Sequence, residues 1–182
     1  MKALREMSLE ELWQLFPIEL SAPRPEWKLW AAEEISHLTA LLARFNPVIN
    51  HIGSTAIPTI RAKPIVDLLV EVPRTANREQ LHALMLGSGY LCMNSTPTRM
   101  SFNKGYTPSG YAERVFHIHI HPTGDNDEVR FRDYLLSHPE AAADYEALKQ
   151  SLLPRFRNNR DAYTDAKADF VHRILRISKQ EV

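Results

Sequence analysis

The spacing of apolar and polar positions changes period several times along the chain, and each change marks an element. Ser8 followed by Glu11 has the spacing of a capping box, which predicts a short helix over about residues 8–16. Residues 17–24 contain Pro17 and Pro23 and read as extended. Pro25 can open the next helix, where its missing N–H costs nothing. Trp27, Trp30, Ile35, Leu38, Leu41 and Leu42 then share one helical face up to about Phe45, and both tryptophans read as core. A short strand over 47–52 leads into a loop over 53–60. Residues 64–72, PIVDLLVEV, form a nearly continuous aliphatic run, the pattern of a strand covered on both faces.

A helix follows over 76–87, stopped by Gly87 and Gly89, then two short strands over 90–93 and 99–103 and a longer one over 114–121. Beyond Pro122 the pattern is helical, over about 127–137, 139–153 and 159–178, with Pro139 and Pro154 marking the breaks. There is no internal repeat and no long linker, so residues 1–182 read as one domain. The order predicts an α+β fold, a mixed sheet flanked by helices with a C-terminal helical block.

Composition narrows the function classes. Lys plus Arg and Asp plus Glu both number 22, and this zero net charge disfavours duplex-DNA binding, which rests on phosphate contacts. Cys92 is the single cysteine and no signal-like apolar run follows Met1, so a reducing cytoplasm is expected. No stretch approaches the roughly 18 apolar residues of a membrane span.

Three groups of residues carry candidate chemistry. Gly53 and Ser54 follow a strand, where backbone N–H groups and a hydroxyl can approach a phosphate. Asp67 lies in the apolar strand beyond them and needs a partner, an open edge or a metal, because an isolated buried carboxylate is costly. Lys63 between them can pair with a phosphate as a point charge. The second group is FHIHIH over residues 116–121, in which period two puts His117, His119 and His121 on one face. That face can bind a metal, take part in proton transfer, or be the solvated side of a half-buried sheet. The third is the basic and aromatic run with Arg132, Tyr145, Lys149, Tyr163 and Lys167. Here Arg132 can clamp a phosphate, and each Tyr–Lys pair, four residues apart, shares a helix face; a solvated helix with ion pairs explains them equally well. No P-loop, dinucleotide fingerprint or Gly-x-Ser-x-Gly setting is present.

In order, these pieces resemble the GrpB family. The resemblance rests on PEW at 25–27, HIGSTAIP at 51–58, KPIVD at 63–67, FHIHI at 116–120 and FRDYL at 131–135, with His138, Pro139, Glu140, Tyr145 and Lys149. It covers roughly residues 17–177. It implies a nucleotidyltransferase-like fold of the polymerase beta-like superfamily, and with it a nucleotide or other phosphorylated small molecule as ligand and Mg²⁺ or another divalent cation as cofactor. By that resemblance Asp67, His117 and His119 are the catalytic and metal-binding residues. Gly53, Ser54, Lys63, Arg132, Lys149 and Lys167 are the phosphate-binding set, gathered in one cleft. Enzymes of that superfamily place two acids two residues apart on the strand. Here Leu69 follows Asp67 on that face, Glu71 comes one step too far, and histidines stand where a third acid is expected. The expectation is therefore nucleotidyl or phosphoryl transfer with an incomplete acidic triad, or a non-catalytic module binding such a ligand on the same fold.

Overall fold

The computed structural model describes residues 3–181. Its centre is a five-stranded mixed sheet of order β1-β2-β5-β4-β3, formed by β1 (Val48–Ile52), β2 (Val66–Val72), β3 (Leu91–Ser95), β4 (Met100–Thr107) and β5 (Gly110–Pro122). Only β2 and β5 run parallel; the other neighbours are antiparallel. The helices are α1 (Leu9–Leu15), α2 (Glu26–Leu41), α3 (Arg78–Gly87), α4 (Asp127–Ser137), α5 (Pro139–Phe156), α6 (Arg160–Asp165) and α7 (Ala168–Ser178). The architecture is α+β, as the periodicity predicts. Among the described residues no helix is long and apolar enough to cross a membrane.

The two faces of the sheet are covered differently. Val66, Leu68, Val70 and Val72 of β2, with Phe116, Ile118 and Ile120 of β5, point into one cluster with Trp27, Leu38 and Leu42 of the α2 region and Leu81 and Met85 of α3. Burying each such side chain stabilises by about 1.5–3 kcal/mol, so this face anchors the fold. The other face carries the alternate positions, Asp67, Leu69 and Glu71 opposite His117, His119 and His121. Over that face lies the C-terminal block, whose own smaller core joins Ile57 and Ile60 to Leu135, Ala142 and Tyr145.

Local signals account for most element ends. Ser8 caps α1, accepting from the Glu11 amide at 3.2 Å while Glu11 reaches back to the Ser8 amide at 2.6 Å. Asn77 caps α3 by accepting from the Gln80 amide. Trp27 is fully buried and Trp30 packs at the edge of the same cluster.

Four expectations are corrected. Pro154 does not end α5 but lies in its last turn, where its missing N–H forfeits one bond near the helix end. The predicted helix over 159–178 divides into α6 and α7 around Ala166 and Lys167, with no glycine or proline to announce the break. Strands β4 and β5 reach further towards each other than 99–103 and 114–121, forming a hairpin that pairs Thr107 with Gly110. That extension was hidden because Gly105, Pro108 and Gly110 read as loop. Gly105 in fact sits at a register shift within β4, with φ +90°, where a side chain would run into the Arg114 carbonyl. The helix predicted to reach Phe45 ends at Leu41, and a 3₁₀ turn over Ala43–Phe45 completes the segment.

Candidate functional site

The parallel pairing of β2 with β5 sets Asp67 directly across from His117, with His119 one rung along the same face. His117 Nδ1 lies 3.2 Å and His119 Nε2 3.6 Å from Asp67 Oδ1. The third histidine of the run does not join them. His121 is only 5% exposed, against 17% and 35% for His117 and His119, and its Nδ1 is 2.9 Å from the Asp125 carbonyl oxygen. Glu71 is likewise engaged elsewhere: its Oε1 accepts from the Gly124 amide at 2.8 Å and from Asn126 Nδ2 at 3.2 Å.

The Gly53–Ser54 turn closes over Asp67 from β1. Gly53 has φ +70°, and a Cβ there would lie 2.5 Å from Asp67 Oδ2. Glycine is thus required twice, for the backbone angle and for the close approach. Ser54 Oγ accepts from Lys149 Nζ at 3.0 Å, and the same ammonium donates to the Arg61 carbonyl.

Asp67, His117, His119, Gly53, Ser54 and Lys63 all line one cavity of about 700 Å³. Lys149 and Lys167 line it as well, from α5 and from the α6–α7 junction. A fourth cation, Arg160 of α6, was not singled out from the sequence. It is one turn before Tyr163 on α6, but the unsignalled break before Lys167 hides which residues of this stretch share a face. Arg160 donates to the hydroxyls of Tyr106 at 2.8 Å and Tyr111 at 2.6 Å. The Tyr106 hydroxyl lies 2.7 Å from His117 Nε2. In the tautomer in which the phenol donates to that nitrogen, Nδ1 carries the ring proton on the side of Asp67. Size alone would not mark this site: a larger cavity of about 880 Å³ along α1 has no histidine, lysine or arginine in its lining among the described residues.

Arg132 lies elsewhere. It borders a separate cavity of about 560 Å³ behind the turn, donates to the His51 carbonyl at 2.7 Å and pairs with Asp133. His51 in turn donates from Nε2 to Thr55 Oγ1 at 2.9 Å, and Thr55 donates to the Ile65 carbonyl at 3.2 Å. Burial pushes His51 down to about 4, so it stays neutral. These groups brace the turn from its far side.

The charges in the cleft are strongly coupled. Burial pushes Lys63 down to about 7, helped by the nearby Lys167 and Arg160. Burial and Lys167 push Lys149 down to about 7 as well, and burial lowers Lys167. Burial raises Asp67, but the close approach of the His117 and His119 ring nitrogens outweighs it and holds the carboxyl well below its usual range. Burial lowers His117, so its imidazole is neutral near pH 7. Several cations thus crowd one wall, with Asp67, Asp161 and Asp165 also lining the cavity, and an anion among the cations would relieve their repulsion. Lys63 and Lys167 both lie over the Tyr163 ring, at 5.8 and 4.7 Å from its centroid.

Asp67, His117 and His119 each offer a ligand atom within 4.8 Å of the others, a spacing that a divalent cation can span.

Comparison with known proteins gives a consistent picture. The family model described as GrpB protein matches residues 17–176. A UPF0157 protein of Pseudomonas aeruginosa is 37% identical over 161 residues, covering 87% of this chain and 66% of that protein. The chain spans 48% of the length of a second curated relative, from Bacillus subtilis. The crystal structure of GrpB from Enterococcus faecalis has a TM-score of 0.74 at 27% identity, covering 90% of this chain and 98% of that one. A Cid1 poly(U) polymerase bound to MgATP has a TM-score of 0.50 over 78% of this chain and 44% of its own, at 13% identity. That last likeness concerns the fold, which is nucleotidyltransferase-like.

Proposed function

The chain belongs to the GrpB family, and from that premise we propose that its cleft binds the phosphates of a nucleotide or similar phosphorylated small molecule and transfers a nucleotidyl or phosphoryl group beside Asp67. The observation that carries this reading is the convergence of Lys63, Lys149, Lys167 and Arg160, from separate parts of the chain, on the cavity that holds Asp67, His117 and His119. A neutral chain has no general attraction for anions, so a cavity in which Lys63, Lys149, Arg160 and Lys167 outnumber Asp67, Asp161 and Asp165 favours a local anionic ligand.

Each residue has a definite task in this reading. Lys149 fixes the Ser54 hydroxyl and faces phosphate oxygens together with Lys63 and Lys167. Gly53 lets the turn approach Asp67 closely enough for a phosphate to reach both. Arg160 orients Tyr106 and, through it, His117. A divalent cation held by Asp67, His117 and His119 would neutralise charge on the phosphoryl oxygens. Arg132 supports the turn from behind and does not touch the ligand.

A second reading, a binding module without turnover, is favoured by one observation. Leu69, the next position after Asp67 on the cleft face of β2, is fully buried, and Glu71 beyond it is hydrogen-bonded to the β5–α4 connection. Only one acid of β2 therefore faces the ligand. Titration calorimetry with nucleoside triphosphates, diphosphates and pyrophosphate tests what both readings share. Binding that weakens in Lys63→Gln and Lys167→Gln supports the cleft; no binding of any of these at millimolar concentration overturns it. Incubation with labelled nucleoside triphosphates and hydroxyl acceptors then separates transfer from binding alone.

A further inference from the structure

We propose that the metal this cleft selects is a first-row transition dication such as Co²⁺, Ni²⁺ or Zn²⁺, held by Asp67, His117 and His119, and not Mg²⁺. The inference rests on the reading of these three residues as the metal end of the phosphate cleft, and deepens it by naming the class of ion.

The donor set is the first argument. Mg²⁺ takes oxygen ligands in a near-ideal octahedron and is held through carboxylates and phosphates, whereas imidazole nitrogen suits zinc, iron, nickel and copper. The fold relative bound to MgATP makes magnesium the default expectation. This chain offers two ring nitrogens and one carboxylate oxygen. No second carboxylate of β2 is at hand: Leu69 occupies the next position on the cleft face, paired in register with His119, and Glu71 is committed to Gly124 and Asn126.

The second argument is the spacing. Two ligands about 2.1 Å from one metal, at 90–110° to each other, lie roughly 3.0–3.5 Å apart. The distances from Asp67 Oδ1 to His117 Nδ1 and His119 Nε2 are 3.2 and 3.6 Å. Each of these two distances suits a pair of neighbouring ligands, and the two histidine nitrogens lie within 4.8 Å of each other. The remaining positions face a cavity lined by lysines, which suits phosphate oxygens as the other ligands.

The third argument lies outside the ligand shell. A metal-bound histidine generally has its other ring nitrogen fixed by a hydrogen bond. His117 Nε2 is 2.7 Å from the Tyr106 hydroxyl, and Tyr106 is itself held by Arg160 at 2.8 Å. A metal on Nδ1 shifts the imidazole proton to Nε2, which then donates to the same phenol oxygen. The partner is kept in both states.

The experiment uses the full chain, stripped with chelator and then titrated separately with Co²⁺, Ni²⁺, Zn²⁺ and Mg²⁺ by calorimetry, with the visible spectrum of bound Co²⁺ as a second readout. The inference expects each transition ion to bind at least ~10-fold tighter than Mg²⁺. It also expects that preference to fall in His119→Gln, and the His119→Asp variant to shift selectivity towards Mg²⁺. Circular dichroism checks that both His119 variants fold; should His119→Asp fail to fold, His119→Gln alone decides. Equal or tighter Mg²⁺ binding in the parent chain, or transition-ion binding that is unchanged in both folded His119 variants, overturns the inference. Nucleotide affinity measured without metal is recorded in parallel. If it persists while the metal preference is lost, only this inference fails; if it is absent while the metal preference holds, the phosphate reading fails instead.

Discussion

Asp67 faces His117 across the β2–β5 pair, and at the far end of the same ladder Glu71 faces His121 in the same register. The residue types and strand geometry are alike, yet the surroundings differ. At one end the acid and the histidine open into a cavity walled by lysines. At the other the acid is 6% exposed, bonded to Gly124 and Asn126, and the histidine is closed beneath the turn that starts α4. An acid–histidine pair is thus a site or a strut according to what covers it.

That contrast is broken most forcefully at the closed end. Glu71→Ala removes the acceptor for a buried amide and a side-chain N–H, and should destabilise by about 2–3 kcal/mol. Denaturant unfolding measures this, while ligand affinity under native conditions should stay within error of the parent. An equal loss of affinity would show that the two ends are coupled.

Gly53→Ala tests the open end sterically. The new methyl meets Asp67 Oδ2 and the residue must hold φ +70°, so a loss of about 1–2 kcal/mol is expected together with weakened metal and phosphate binding. Asp67→Asn moves the main loss to the site. The fold should be kept at a cost of about 1–2 kcal/mol, because the His117 and His119 rings favour the charged carboxyl, while metal binding is abolished. Calorimetry and a melting curve on one sample decide the point.

The cations supply a pH test. Lys63 is lowered from 10.5 to about 7 in the fold, so between these values the unfolded chain binds more protons and stability rises with pH. Replacing Lys63 by methionine should therefore raise the melting temperature of the ligand-free protein by ~3 °C or more below pH 7, and the gain should vanish as pH approaches 10.5. Phosphate ligands, which favour the charged lysines, should bind more tightly at pH 6.5 than at pH 9. The smallest effect is expected at Arg132→Gln. Its bond to the His51 carbonyl is worth about 1 kcal/mol, and phosphate affinity should not change; a clear loss would put Arg132 back among the ligand-binding cations.

Where the sequence was readable, a local rule was sufficient. An aspartate inside PIVDLLV must find a partner, and period two along FHIHI fixes which histidines share its side. Nothing local says which way a helix turns about its neighbours. Arg132 and Lys149 look equivalent on their helices, yet the packing of α4 against β1 and α7 carries Arg132 behind the turn that Lys149 faces. The same limit hid Arg160, because the break between α6 and α7 has no sequence signal. It also hid the buried Glu34, which meets Tyr90 at 2.5 Å and Lys104 at 2.9 Å across long separations in the chain.

The cleft's parts also arrive in a fixed order as the chain is made. Asp67 and both histidines precede residue 120, whereas Lys149, Arg160 and Lys167 all come from α5 onwards. At about 5–20 residues per second of synthesis, the interval from His119 to Lys167 lasts roughly 2–10 s. The apolar face of the sheet can gain its burial in that time, before the mutually repelling ammonium groups are brought together. Electrostatic strain is thus added last, onto a scaffold already able to bear it.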